Sequence, residues 1–194
     1  MAVVLGVVGG VAGLALDGVK SMTDPVIEKR ILEQKIKPTL DKYLKPVGMD
    51  NDYIADRVKL DLGKDEIGRR QHLNVFQGRK GGVVKAAALQ TSGGGYGGDI
   101  HVLTVFDLEN KTILGVKTLS QKETKGLGAR IKDDSEAFIK QFSGMDYSGG
   151  IRFRSDGGRV DAISGATISS NAFTKAVNSA VELLAERSGE ITEP

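Results

Sequence analysis

Between His72 and Leu119 the chain runs through four short segments of alternating apolar and polar residues, and this pattern restricts the fold more than any other feature. "HLNVFQ" and "VVKAAAL" flank the turn "GRKGG", and "DIHVLTVFDL" and "TILGVKTL" flank a turn at Glu109 to Lys111. Period-two alternation bounded by glycine and asparagine marks hairpins. The loop "QTSGGGYGG" joins the two pairs, and "IRFR" and "RVDAI" around Asp156-Gly157-Gly158 read as a third hairpin. Strands and helices do not alternate as βαβ units, so a doubly wound sheet is rejected. The expected class is α+β, a largely antiparallel sheet of hairpins with a C-terminal helix and an N-terminal membrane anchor helix. Glycine is abundant at 26 residues, so turns and close backbone approaches should matter.

Helical periodicity is clearest from Ser169 onward, where Ala172, Phe173, Ala176, Val177, Ala180, Val181 and Leu184 recur every three or four residues before Gly189. A shorter helix, capped by Asp133 or Asp134, is expected through Ala137, Phe138 and Phe142 to Gly144. Upstream, Thr23 or Asp24 ahead of Pro25 reads as the cap of a helix reaching Lys37. Pro38 bends or restarts it, and Ile36, Leu40 and Tyr43 or Leu44 carry the period on to the break at Lys45 to Gly48.

Ala2 to Leu16 is uncharged and apolar. It is shorter than the roughly 20 residues of a full span, and both an uncleaved anchor and a signal segment fit its length. No positive charge precedes it, which favours the anchor. Gly6 with Gly10 and Gly9 with Gly13 have the spacing of close helix pairs in membranes, or reflect chance in a glycine-rich run. The expected organisation is an anchor over residues 1–22, either whole or shortened, then a stalk helix and linker over 23–70 and a folded domain over 71–194. Lys20, Lys29, Arg30, Lys35 and Lys37 follow the run and by the positive-inside rule draw the domain towards the cytoplasm.

With 27 Lys and Arg against 25 Asp and Glu, the net charge of +2 provides no footprint for nucleic acid. The absence of cysteine excludes disulfides, thiolate metal sites and cysteine nucleophiles. His72 and His101 read as surface or strand histidines rather than metal ligands.

"VDAISGATISSNAF" leads from an apolar stretch into the C-terminal helix. Unpaired N–H groups and the positive end of the helix dipole suit such a junction to phosphate. Gly165 and Ala166 allow close approach, while Ser164, Thr167, Ser169 and Ser170 can donate to phosphate oxygens or be esterified. The competing reading makes Ser169 or Ser170 an ordinary helix cap and Gly165 a turn residue. No GxxxxGK[ST] occurs and the glycines do not sit in a βαβ unit, so neither a P-loop nor a dinucleotide fingerprint is present.

Asp161 followed two residues later by Ser164-Gly165-Ala166-Thr167 resembles the D-x-x-[ST]-G-A-T motif of FMN-binding domains. "GGYGGDI" and "KETKGLGARI" are similar to two further segments of that family, in its order, although Lys125 stands where the family has proline. The resemblance covers most of residues 72–187. Such domains occur in the G subunit of the Rnf ion-translocating oxidoreductase and the C subunit of the sodium-translocating NADH:quinone reductase. The Tyr96-Gly97-Gly98 form is more like the former.

The resemblance implies covalent FMN, joined to Thr167 by a phosphoester that a flavin transferase installs, with Ser164, Gly165 and Ala166 shaping the turn. It also implies that Glu123, Thr124, Leu127 and Gly128 line the flavin. Asp161 presents Thr167 to the transferase or is a turn residue, and Tyr96 stacks on the ring, bonds to it or is an exposed loop tyrosine. The activity implied is electron transfer without a catalytic base or nucleophile, in an Rnf-type complex that couples ferredoxin and NAD chemistry to ion transport. The other membrane subunits would be its partners, with the domain on the periplasmic, extracytoplasmic side of the inner membrane. The charge pattern above opposes that orientation. The alternatives are the quinone reductase subunit and a non-redox, membrane-anchored module that binds a phosphate ligand.

Overall fold

The computed structural model describes residues 2–64, 68, 70–132 and 137–192. Helix α1 spans Ala2–Ile31, a π-helical turn follows over Leu32–Ile36, and α2 spans Lys37–Leu44. No helix starts at Pro25, because α1 runs unbroken through that position. A proline inside a helix forfeits one hydrogen bond at about 3 kcal/mol without having to end it. The restart falls at Pro38 instead. The widened turn before it, closed by the Lys37 N–H on the Leu32 carbonyl, relieves the clash that the ring makes with the preceding turn.

The sheet is five-stranded and antiparallel, in the order β1 (Val58–Lys64), β2 (Arg70–Lys80), β3 (Val83–Gly94), β4 (Asp99–Asp107) and β5 (Thr112–Ser120). Both expected hairpins are present, β2 with β3 and β4 with β5. β3 extends to Gly94 and pairs with Asp99, which shortens the glycine loop to residues 95–98. A single-turn 3₁₀ helix (Gly128–Lys132), the short α3 (Ala137–Lys140), α4 (Thr167–Glu186) and α5 (Ser188–Thr192) complete the chain. The expected caps Asp133 and Asp134 lie outside the described residues.

The central strands are buried on both faces, and alternate residues serve two different cores. Ala87, Leu89, Val102 and Phe106 meet α4 through Phe173, Ala176, Val177 and Ala180. Ala86, Ala88, Leu103 and Val105 meet Ile36, Leu40 and Leu44 on the opposite face. A Cβ on Gly93 would overlap the Ala172 carbonyl and one on Gly115 would overlap the Tyr43 ring, so these glycines set how closely each helix layer approaches.

Two expectations need correction. The packed body does not begin at residue 71: β1 pairs with β2, and the residues from Ile36 to Leu44 cover one sheet face. The stretch read as stalk is therefore partly a layer of the domain, since the second face of a buried sheet needs an apolar cover. The third hairpin is also absent. Residues 151–163 form a loop with one parallel bridge, Phe153 to Val160, and a 3₁₀ turn at Arg154–Asp156. The two arms still bond to each other near the turn, the Arg154 N–H to the Val160 carbonyl and the Gly158 N–H to the Phe153 carbonyl, both at 2.8 Å, but at their outer ends side chains replace a partner strand. The Asn178 amide pairs both polar groups of Ile151, and the Gln141 amide pairs both of Asp161.

Candidate functional site

At the amino end of α4 a cavity of about 530 Å³ is lined by Tyr96, Glu123, Thr124, Leu127, Gly128, Gly165, Ala166, Thr167, Ile168 and Ser169. Three loops and one helix end meet there, brought together by the sheet from distant parts of the chain. Gly165 has φ +75°, a conformation open to glycine, and turns the chain into the helix. The first intrahelical bond runs from the Ser170 N–H to the Ala166 carbonyl at 2.9 Å, and no side chain caps the amino end. The N–H groups of Thr167, Ile168 and Ser169 therefore precede the helical ladder at the positive end of the dipole.

Neither Ser169 nor Ser170 is a cap. The Ser170 hydroxyl is buried, accepts the Ile163 N–H at 3.0 Å and donates to the Ala166 carbonyl at 3.0 Å, which locks the loop onto the helix. The Ser169 hydroxyl donates to Glu123 Oε2. Glu123 is 7% exposed and also accepts the Gly97 N–H on Oε1 at 2.8 Å. One carboxylate thus joins the tyrosine loop, its own loop and α4. Burial pushes this carboxyl upward, but the hydrogen bonds from Ser169 and from the Gly97 and Tyr96 backbone outweigh it and hold the group below its ordinary value. A Cβ on Gly128 would overlap the Ser169 hydroxyl and stand 2.9 Å from Glu123 Oε2, so this junction excludes a side chain there.

The mouth is apolar: Tyr96, Leu127 and Ile168 are 75%, 48% and 56% exposed. Among the described residues outside α1, few large apolar side chains are exposed, and three of them line this one cavity. Thr167 is exposed beside them.

Of the residues singled out in the sequence, Thr167, Gly165, Ala166, Tyr96, Glu123, Thr124, Leu127 and Gly128 line the cavity together, whereas Ser164 and Asp161 do not. Ser164 is exposed on the approach to the helix. Asp161 lies on an adjoining surface, paired with Arg154. Ile168 was missed, because in the sequence it reads only as an apolar residue of the helix. His72 and His101 lie on β2 and β4, apart from the cavity wall.

The family model of the FMN-binding domain matches residues 95–182, which contain every cavity residue. The G subunit of an ion-translocating oxidoreductase complex from Vibrio parahaemolyticus is 30% identical over 184 residues, covering 91% of this chain and 86% of the relative. The same subunit from Stutzerimonas stutzeri is 36% identical over 143 residues, and that from Cereibacter sphaeroides 33% over 150 residues. These two alignments take in 72% and 75% of this chain but only 60% and 65% of those relatives' own lengths. Among solved structures, the C subunit of a sodium-translocating NADH-quinone reductase from Parabacteroides distasonis aligns with a TM-score of 0.48 and 25% identity, over 63% of this chain and 64% of that one. With a relative matched across nearly its whole length and an FMN-binding domain placed on this cavity, the chain belongs to the family of G subunits of ion-translocating oxidoreductase complexes.

Proposed function

We propose that the chain is a membrane-anchored electron carrier with FMN esterified to Thr167, working among the other membrane subunits of an Rnf-type complex that exchanges electrons between ferredoxin and NAD. The observation that carries this reading is the convergence of Thr167, an uncapped helix end and an apolar rim on one cavity. The residues fit the group. N–H groups at the start of α4 suit a phosphate, and Tyr96, Leu127 and Ile168 suit the face of an aromatic ring.

When bound, the isoalloxazine ring supplies one- and two-electron chemistry. The chain's own residues bind and orient. Thr167 is the tether, Gly165 and Ala166 let the backbone come close to the phosphate, and Glu123 fixes the loops that form the wall. A covalent link keeps the carrier loaded in every redox state, at a high effective concentration.

Attachment would join Thr167 Oγ to the phosphorus of the FMN unit, and because direct esterification of a monophosphate in water is uphill the donor would have to carry that phosphate in an anhydride. A flavin dinucleotide meets this need: its pyrophosphate P–O bond would break, the nucleoside monophosphate would leave and the hydroxyl proton would be released. The domain stands on the extracytoplasmic face in this reading, where a lost cofactor could not be recaptured.

The test is intact-protein mass spectrometry under denaturing conditions after co-expression with a flavin transferase, followed by peptide mapping of residues 161–175. The wild type should gain the mass of an FMN phosphoester on Thr167, and Thr167→Ala should gain none while melting normally. Flavin that co-purifies but leaves on denaturation would replace the tethered carrier with a non-covalent binding module.

A further inference from the structure

Asp161 lies outside the cavity wall, yet it is held more firmly than an exposed loop residue requires. Arg154 donates to both of its oxygens, Nε to Oδ1 at 2.8 Å and Nη2 to Oδ2 at 3.0 Å. The Gln141 amide grips the backbone on both sides, with the Asp161 N–H on Oε1 at 2.7 Å and Nε2 on the Asp161 carbonyl at 3.1 Å. The Arg154 and Asp161 side chains are 68% and 59% exposed. Ion pairs this exposed are screened by water and add little to stability, so maintenance of the fold does not account for the Arg154–Asp161 pair.

The loop from Asp161 to Thr167 is also tied down. The Ile163 N–H donates to the Ser170 hydroxyl, and the Ala166 N–H donates back to the Ile163 carbonyl at 2.9 Å. Carboxylate and hydroxyl therefore sit on one fixed stretch that could span at most about 20 Å even if fully extended. A protein interface of about 800 Å² per partner is about 30 Å across. A protein that seats over this loop has a footprint wide enough to take in both groups. The hydrogen bonds from Arg154 hold the carboxyl below its usual range, and each oxygen keeps a second acceptor position.

We infer that Arg154 and Gln141 are positioning residues for the modification of Thr167, holding Asp161 as a fixed acceptor that the flavin transferase engages as it seats on the loop. This rests on the covalent reading above. The partner surface it calls for carries N–H or cationic donors opposite Asp161, beside the site that delivers the flavin nucleotide.

The test uses the full chain in detergent with a flavin transferase and flavin adenine dinucleotide, following covalent flavin by in-gel fluorescence over a range of chain concentrations. Arg154→Ala and Gln141→Ala should each raise the transferase KM for the chain about tenfold and leave its saturated rate and the melting midpoint near wild type. Arg154→Lys should lie between, since a single ammonium replaces the planar fork. Wild-type KM in both alanine variants overturns the inference, and so does a loss confined to the saturated rate. If one variant melts early, the other decides. Failure of the wild type to take covalent flavin overturns the covalent reading and this inference together, whereas a labelled wild type with unimpaired variants overturns only the inference.

Discussion

At the scale of single residues, Glu123 organises the site. Its carboxylate is buried and holds the Ser169 hydroxyl and the Gly97 N–H, groups from two other segments. Glu123→Ala leaves both donors without an acceptor and should cost about 1–3 kcal/mol of stability, read from urea unfolding. The carboxyl is held below its ordinary value in the folded chain. Its contribution is therefore fully present above the glutamate reference near ~4.3 and is lost as pH falls through the lowered folded value. Stability of the wild type should drop over that acid range, and Glu123→Gln should give a flatter profile there. Equal slopes for the two chains would remove Glu123 as the titrating group.

At the scale of elements, the helix arriving from α1 changes its role at residue 31. Its first part is exposed along its length, whereas Ile36, Leu40 and Leu44 are buried at spacings of four and cover a sheet face. The π turn and Pro38 lie at the transition, where a straight α-helix gives way to one that must fit the sheet. Leu40→Ala should destabilise by about 2–5 kcal/mol, measured by chemical denaturation. A chain shortened to residues 31–194 should melt cooperatively, whereas one shortened to 71–194 loses β1 and that cover together and should aggregate. Equal behaviour of the two would place the start of the domain at residue 71 after all.

At the scale of the whole molecule, the domain is a three-layer stack, α2 on one face of the sheet and α4 on the other, with a helix at one end long and apolar enough to cross a membrane. The cavity lies on the α4 side, and the helix from the anchor covers the opposite face. The lysines and arginines after the apolar run argue for a cytoplasmic domain and the proposed function for the other side, so orientation needs its own measurement. The chain has no cysteine, so a single Ser155→Cys in the exposed loop is a clean reporter. It should react with a membrane-impermeant maleimide in intact cells. Labelling only after lysis would place the domain inside and contradict the extracytoplasmic part of the proposal.

Two hairpins and the C-terminal helix were legible in the sequence by itself, because period-two and 3.6-residue patterns are local. Most of the residues that line the cavity were picked out by the resemblance to FMN-binding domains and not by any pattern of their own. The sequence alone misread the segment from Ile151 to Ile163, whose apolar alternation looked like strands, while the partners of Ile151 and Asp161 at its ends are Asn178 and Gln141 on distant elements. It also took Ile36, Leu40 and Leu44 for a stalk, since helical periodicity reports an apolar stripe without naming what will cover it. It took the tertiary structure to show that Ser169 binds Glu123 rather than capping α4, that Ile168 joins the cavity rim, and that Asp161 pairs with Arg154 on an adjoining surface outside the cavity wall. Each of these depends on which distant groups the sheet brings within hydrogen-bond or contact distance, and that is set by packing rather than by neighbours along the chain.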